Sequence, residues 1–166
     1  MVILPALNEA AALPTALAAF PPQVGLLVVD NGSTDRTAAV AAAHGARVVA
    51  EPRRGFGAAC WAGVQAAPGE VLVFADADGS FDGADLPAVA GPVLAGEADL
   101  VVGSRMARRE RGAMSTLAVL ENRLLGLACR MVFGVPLTDL GPFRAIRRDV
   151  LLGLGIPIGA AAGRWR

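Results

Sequence analysis

Short runs of apolar, β-prone residues alternate with longer alanine-rich runs along this chain. Val2 to Leu4 predicts a strand, followed by an alanine-rich helix that ends near Phe20. Pro21-Pro22 stops that helix, because a residue preceding proline is pushed out of helical geometry. Leu26 to Val29 predicts a second strand, and the next helix starts at Thr34 or Asp35. His44 and Gly45 end it, glycine being suited to a left-handed cap. Arg47 to Ala50 predicts a third strand, then a glycine-rich loop leads into a helix through Ala67. Val71 to Ala75 is a continuous apolar run ending abruptly in acid, the pattern of a buried strand. A helix around Ala84 to Ala95 and a strand from Leu100 to Val102 follow. The alternation predicts an α/β fold: a mostly parallel sheet flanked by helices on both faces. No repeat or linker interrupts it, so residues 1–166 read as one domain.

A parallel sheet of this kind binds ligands beyond the carboxyl ends of its strands. The residues following the predicted strands are Pro5 to Glu9, Asp30 to Asp35, Glu51 to Gly57, Asp76 to Ser80, and Ser104-Arg105. Nearly all the unusual polar chemistry of the first two-thirds therefore falls on one edge. That edge is the predicted binding site.

Composition narrows the chemistry. A 54% hydrophobic, 18% charged chain of 166 residues is long enough for a sizeable core. Its formal net charge is zero, which gives no long-range pull toward nucleic acid. All 15 basic residues are arginine, so no single arginine is a signal by type alone. Cys60 and Cys129 stand far apart in apolar surroundings and read as buried thiols of a reducing compartment, not as a disulfide or zinc framework. His44, the one histidine, falls at a helix end opposite the ligand edge. A Ser-His-Asp or Cys-His nucleophile is thereby disfavoured. No signal peptide and no run of 18 or more uncharged apolar residues is present, and a cytoplasmic location is expected.

Asp76-Ala77-Asp78-Gly79-Ser80 is the sharpest local pattern. On extended backbone, carboxylates at i and i+2 point the same way. They would offer hard oxygen ligands to Mg²⁺ or Mn²⁺, ions that take carboxylates together with substrate phosphates. A solvated turn is the plainer alternative; the position after a buried strand, among other polar loops, favours the metal. Asp30 ends a strand and could accept hydrogen bonds from a nucleobase or ribose, while Asp35 reads as a first-turn acid favoured by the helix dipole. Arg53-Arg54-Gly55-Phe56-Gly57 sets fixed positive charge beside close-approach glycines, which suits a diphosphate. It follows the third strand, and the first strand has no glycine after it, which argues against a dinucleotide-binding fingerprint. Arg105 could add a phosphate contact or be an ordinary surface arginine.

Taken together, Pro5-Ala6-Leu7-Asn8-Glu9, Val29-Asp30-Asn31-Gly32-Ser33-Thr34-Asp35, Gly55-Phe56-Gly57-Ala58-Ala59, Asp76-Ala77-Asp78, Gly103-Ser104-Arg105 and Asp139-Leu140-Gly141-Pro142-Phe143-Arg144 resemble the family 2 glycosyltransferases of GT-A fold, especially the branch around dolichol-phosphate mannose synthase. The resemblance implies a Rossmann-like nucleotide-sugar-binding domain and inverting transfer of a sugar from a nucleotide-diphosphate donor. Glu9 and Asp30, within the Pro5, Ala6 and Asn8 motif and its neighbour, would hold the nucleoside. Asp76 and Asp78, flanking Ala77, would handle the ribose and the metal-bound diphosphate, with Arg54 and Gly55 beside it. Arg105 would sit near the diphosphate or a phosphate acceptor, and Asp139 is the one base candidate the likeness offers, a helix cap or loop strain explaining it equally well.

A polyprenyl phosphate acceptor is already anionic and needs little help from a base; a hydroxyl acceptor needs a carboxylate to take its proton. From Met114 to Val132, Leu117, Leu120, Leu124, Ala128 and Met131 recur at helical spacing, with Glu121 falling inside the apolar stripe. Packing on the sheet is the default reading. Peripheral contact with the inner face of a membrane, beside Arg105, Arg108, Arg109 and Arg111, is the other. After Ile146-Arg147-Arg148 the chain departs from the family's pattern and drifts into Gly159-Ala160-Ala161-Ala162-Gly163, which predicts C-terminal truncation. Two further readings compete: a truncated module that binds nucleotide sugar without turnover, and a phosphohydrolase of haloacid dehalogenase type, which Asp76-Ala77-Asp78-Gly79-Ser80 imitates. The second needs a lysine that this chain lacks.

Overall fold

The computed structural model describes residues 1–103 and 141–155. In chain order the elements are β1 (Val2–Ala6), α1 (Leu13–Ala18), β2 (Leu26–Asp30), α2 (Thr37–Ala43), β3 (Arg47–Ala50), α3 (Phe56–Ala66), β4 (Val71–Phe74), a 3-10 turn (Gly83–Asp85), α4 (Leu86–Leu94), β5 (Leu100–Val102), β6 (Arg144–Arg147) and α5 (Arg148–Gly153). The strands form one sheet in the order β3-β2-β1-β4-β6-β5. Parallel pairing joins β3 to β2, β2 to β1 and β1 to β4. β6 runs antiparallel to both β4 and β5. All described strands except β6 therefore point the same way, and the mostly parallel sheet is as expected.

Alternation along the strands explains why helices cover both faces. Val2, Leu4 and Ala6 of β1, Val28 of β2 and Val73 of β4 share one core with Leu13 and Leu17 of α1, Ala41 of α2 and Val89 and Val93 of α4. Ile3, Leu27, Val29, Leu72 and Ile146 point the other way, into a core with Ala59, Ala62 and Val64 of α3, against which Leu151 of α5 packs. With both faces buried, β1, β2 and β4 can be apolar throughout, which is why they read as unbroken hydrophobic runs. α3 lies close over β1 because Gly63 faces it: a Cβ there would run into Ile3 Cγ2.

Several boundaries differ from the sequence reading. α2 begins at Thr37, because Asp35 is spent on holding the loop before it (below). The helix expected over Ala84 to Ala95 divides into the 3-10 turn, N-capped by the Asp82 side chain accepting from Ala84 N–H (2.9 Å), and α4, with a proline at its N-terminus. Pro87 fits there because the first turn needs no intrahelical N–H. The sequence pattern does not predict β6. It inserts between β4 and β5, so β5 is not the neighbour of β4.

Candidate functional site

β1, β2, β3 and β4 deliver their carboxyl ends to one edge of the sheet, and register shows how closely. Ala6 pairs with Asp30, and Asp30 with Ala50. Ile3 pairs with Phe74; three residues beyond each stand Ala6 and Ala77. β4 ends at Phe74, level with Ile3, and the loop carrying Asp76 and Asp78 leaves the sheet there, on the opposite side of β1 from Asp30. With neighbouring strands about 4.8 Å apart, β2 and β4, on either side of β1, stand about 10 Å apart.

The β1 and β2 loops are laced together. Asn8, at φ 60°, accepts through Oδ1 from Thr34 N–H (2.8 Å) and donates its own N–H to Ser33 Oγ (2.9 Å). Glu9 N–H donates to Thr37 Oγ1 (2.9 Å). Asp35 accepts from Ala10 N–H (3.2 Å), from Thr37 N–H (2.9 Å) and from the Thr37 hydroxyl. The Thr37 hydroxyl, foremost, holds the Asp35 carboxyl below its ordinary range. Asp35 is therefore structural, as expected, but it acts from just before α2 on the first helical N–H, not from within the first turn. Asp30 Oδ1 accepts from Ser33 N–H (3.0 Å), turning the loop beyond β2.

The β2 and β3 loops are joined by a side chain that sequence reasoning missed. Asn31, 4% exposed, donates through Nδ2 to the carbonyls of Glu51 (2.9 Å) and Arg53 (2.7 Å) and accepts at Oδ1 from Gly55 N–H (2.7 Å). Gly55 precedes α3 at φ 131°, a conformation that a side chain would oppose. The paired arginines next to it divide their work. Both side chains are exposed; Arg53 is bound by Glu51, whereas Arg54 reaches across to the Gly32 carbonyl (Nη2 to O, 3.2 Å), near Asp30. An asparagine in a D-N-G-S run reads as a turn residue, so only its burial marks it out.

Beyond β4 the backbone departs from expectation. The strand ends at Phe74, and residues 77–79 turn, with Ser80 N–H donating to Asp78 Oδ1 (2.9 Å). Asp76 and Asp78 do not continue an extended strand, so the period-two argument for their common direction lapses, although they share the loop. Ala77 between them is buried in the core, Asp76 is half-buried and Asp78 exposed. Among the described residues no group of three or more His, Cys, Asp or Glu stands ready to hold a metal. Two carboxylates alone suit an ion that completes its shell with phosphate oxygens and water. Cys60 of α3 lies within electrostatic reach of Asp76 and Arg144, and burial pushes its thiol up to about 12. Arg105, Asp139, Cys129, the stretch 114–132 with Glu121, and the tail 156–166 lie outside the described residues.

A cavity of about 730 Å³ opens at the other end of the sheet, with Met1, Val24, Val71, Leu86, Val93 and Arg147 in its lining. None of the rim acids lines it. Among the described residues no helix is long and apolar enough to cross a membrane.

This is the Rossmann-like α/β platform of the GT-A glycosyltransferases, with its acids and an exposed arginine gathered on the carboxyl rim. The chain belongs to glycosyl transferase family 2, whose family model matches residues 1–154. It is 43% identical over 177 residues to an uncharacterized glycosyltransferase of Mycobacterium tuberculosis, covering 99% of this chain and 80% of that protein. It is 33% identical over 188 residues to the glucosyl-3-phosphoglycerate synthase of the same species, covering 95% of this chain and 58% of the synthase. Crystal structures of that synthase superpose well. One, with Mn²⁺, UDP and glucosyl-3-phosphoglycerate, has a TM-score of 0.71 at 35% identity, over 90% of this chain and 57% of the synthase. Another, with Mn²⁺, UDP-glucose and phosphoglyceric acid, has a TM-score of 0.73 at 33% identity, with the same coverage. The chain thus spans a little over half of those solved chains. These solved relatives are glucosyl-3-phosphoglycerate synthases, and they do not show the dolichol-phosphate mannose synthase branch.

Proposed function

We propose that this chain moves a glycosyl group from a nucleoside diphosphate sugar to a phosphate-bearing acceptor, using Mg²⁺ or Mn²⁺. The observation that carries the reading is the shared rim: Glu9, Asp30, Asp76, Asp78 and Arg54 all stand on loops leaving the same edge of the sheet. Solved relatives hold UDP or UDP-glucose together with Mn²⁺, which supports both the donor class and the ion.

In this reading Pro5, Ala6, Asn8 and Glu9 frame the nucleoside with Asp30, Asn8 chiefly by shaping the loop through Thr34. Asp76 and Asp78, on either side of Ala77, hold the divalent ion, and Arg54 with Gly55 faces the diphosphate. The bound ion would neutralise charge that grows on the departing nucleoside diphosphate. The acceptor oxygen forms its bond to the anomeric carbon as the bond from that carbon to the diphosphate breaks. Arg105 beside the phosphates and Asp139 as base for a hydroxyl acceptor rest on the family resemblance alone, as does inversion at the anomeric carbon.

A phosphate-bearing acceptor has two sources. Phosphoglycerate accompanies the solved relatives; polyprenyl phosphate follows from the resemblance to the dolichol-phosphate branch, and with it attachment to the cytoplasmic membrane face. The test is a transfer assay with Mn²⁺, pairing UDP- and GDP-sugars with 3-phosphoglycerate in solution and with polyprenyl phosphate in vesicles. Metal-dependent product in either arm supports the reading, and the product's anomeric configuration decides inversion. Donor binding without product in any arm favours a non-catalytic module, and hydrolysis of simple phosphate esters without nucleotide affinity overturns it.

A further inference from the structure

We infer that Asn31 is a positioning residue for the donor's diphosphate: its buried amide fastens the Arg53–Gly55 turn to the end of β2 and so sets Arg54 beside the Asp30 loop. The inference rests on the nucleotide-sugar reading above.

An asparagine side chain has two N–H donors and one carbonyl acceptor. Asn31 uses all of them on one neighbouring loop, through Glu51 O, Arg53 O and Gly55 N–H. Its own backbone N–H donates to Ala6 O (2.9 Å). The carboxyl ends of β1, β2 and β3 therefore meet at this residue, away from solvent. Among side chains of this length only asparagine carries this set of donors and acceptor. Aspartate would turn an oxygen toward two carbonyls, and alanine would leave two carbonyls and an N–H without these partners.

Fastening matters for what the turn carries. Arg53 is engaged by Glu51, and Arg54 is the arginine of this turn that crosses to the β2 loop at Gly32 O. A long arginine on a loose turn would spread its charge over many positions, whereas a fixed turn offers it in one place. The polar atoms of Asn31 face the loop, so the residue acts through Arg54 and Gly55 without touching the donor. Its loss should be felt by the diphosphate and hardly by the nucleoside monophosphate.

The experiment compares UDP with UMP by calorimetry in Mn²⁺ for the full chain, Asn31→Asp, Arg54→Ala and the double variant. Asn31→Asp should weaken UDP by about tenfold, the scale of one charge-assisted contact, and leave UMP within about twofold. In the Arg54→Ala background the Asn31 substitution should add little, because both act through one contact. Should Asn31→Asp lose its cooperative thermal transition, Asn31→Ser takes its place with the same expectations. Equal weakening of UDP and UMP, no weakening of UDP, or additive losses would each overturn the role. A wild-type chain that binds UMP and UDP equally overturns it too, while one that binds neither UDP nor GDP removes the nucleotide reading beneath it.

Discussion

The Glu51 carboxylate grips Arg53 with both oxygens, Oε1 to Nε at 2.9 Å and Oε2 to Nη2 at 2.9 Å, while Oε1 also accepts from the Arg53 backbone N–H at 2.8 Å. The same two residues accept from Asn31 Nδ2 through their backbone carbonyls, so the pair helps hold the turn that carries Arg54. The Arg53 guanidinium, first, and the Arg53 backbone N–H bring the Glu51 carboxyl down to about 2 from an ordinary 4.5. A lowered folded-state value means that the contribution to stability is whole above about pH 4.5 and is lost as pH falls toward 2. In thermal melts the gap between wild type and Glu51→Gln should be constant from pH 7 to 5 and narrow steadily below that. A gap unchanged down to pH 2.5 would show that the carboxylate does not hold the turn through its charge.

Close packing of α3 on the sheet supplies a stability prediction with an internal control. Gly63→Ala would drive its Cβ into Ile3 Cγ2 and to 3.3 Å from Val29 Cγ2, both in a fully buried layer. Overpacking of that kind outweighs the helical preference for alanine, and a net loss of about 1–2 kcal/mol is expected. Gly91 lies in α4 with nothing within 4 Å of a Cβ, and Gly91→Ala should gain about 0.5–1 kcal/mol. Urea midpoints at constant slope check both. Equal effects of the two substitutions would contradict the close approach.

Cys60 should be a poor nucleophile. Burial, foremost, pushes its thiol up to about 12 against the opposing pull of Arg144, with Asp76 adding the smallest push upward. In a Cys129→Ser background at pH 8, its reaction with a disulfide reagent should run at least about a hundredfold slower than that of a free thiol. Denaturant should abolish the difference. Fast labelling of the folded chain would mean that the α3 face beside Asp76 is open.

Much of this arrangement is legible in the chain. β1, β2 and β4 announce themselves as apolar runs because helices cover both their faces, and the acids that follow them fall on one rim because parallel strands end together. β6 is different. Its four residues, Arg-Ala-Ile-Arg, bury only Ala145 and Ile146, too short an apolar stretch to stand out, and its place between β4 and β5 depends on pairing far along the chain. The turn at Asp78 was hidden for a local reason: the same Asp and Gly that read as metal-binding also favour an Asx turn, and here the side chain accepts from Ser80 N–H. Asn31 looks like any loop asparagine until burial shows where its amide points.

Titration of UDP and UDP-glucose into the wild-type chain and into Asp78→Asn, each with and without Mn²⁺, tests the rim most directly. Loss of one metal-ligating carboxylate should cost on the order of tenfold or more in affinity, with the variant's residual binding indifferent to Mn²⁺. Wild-type binding that ignores the metal, or an Asp78→Asn chain that binds as tightly and as metal-dependently as the wild type, would contradict the assignment.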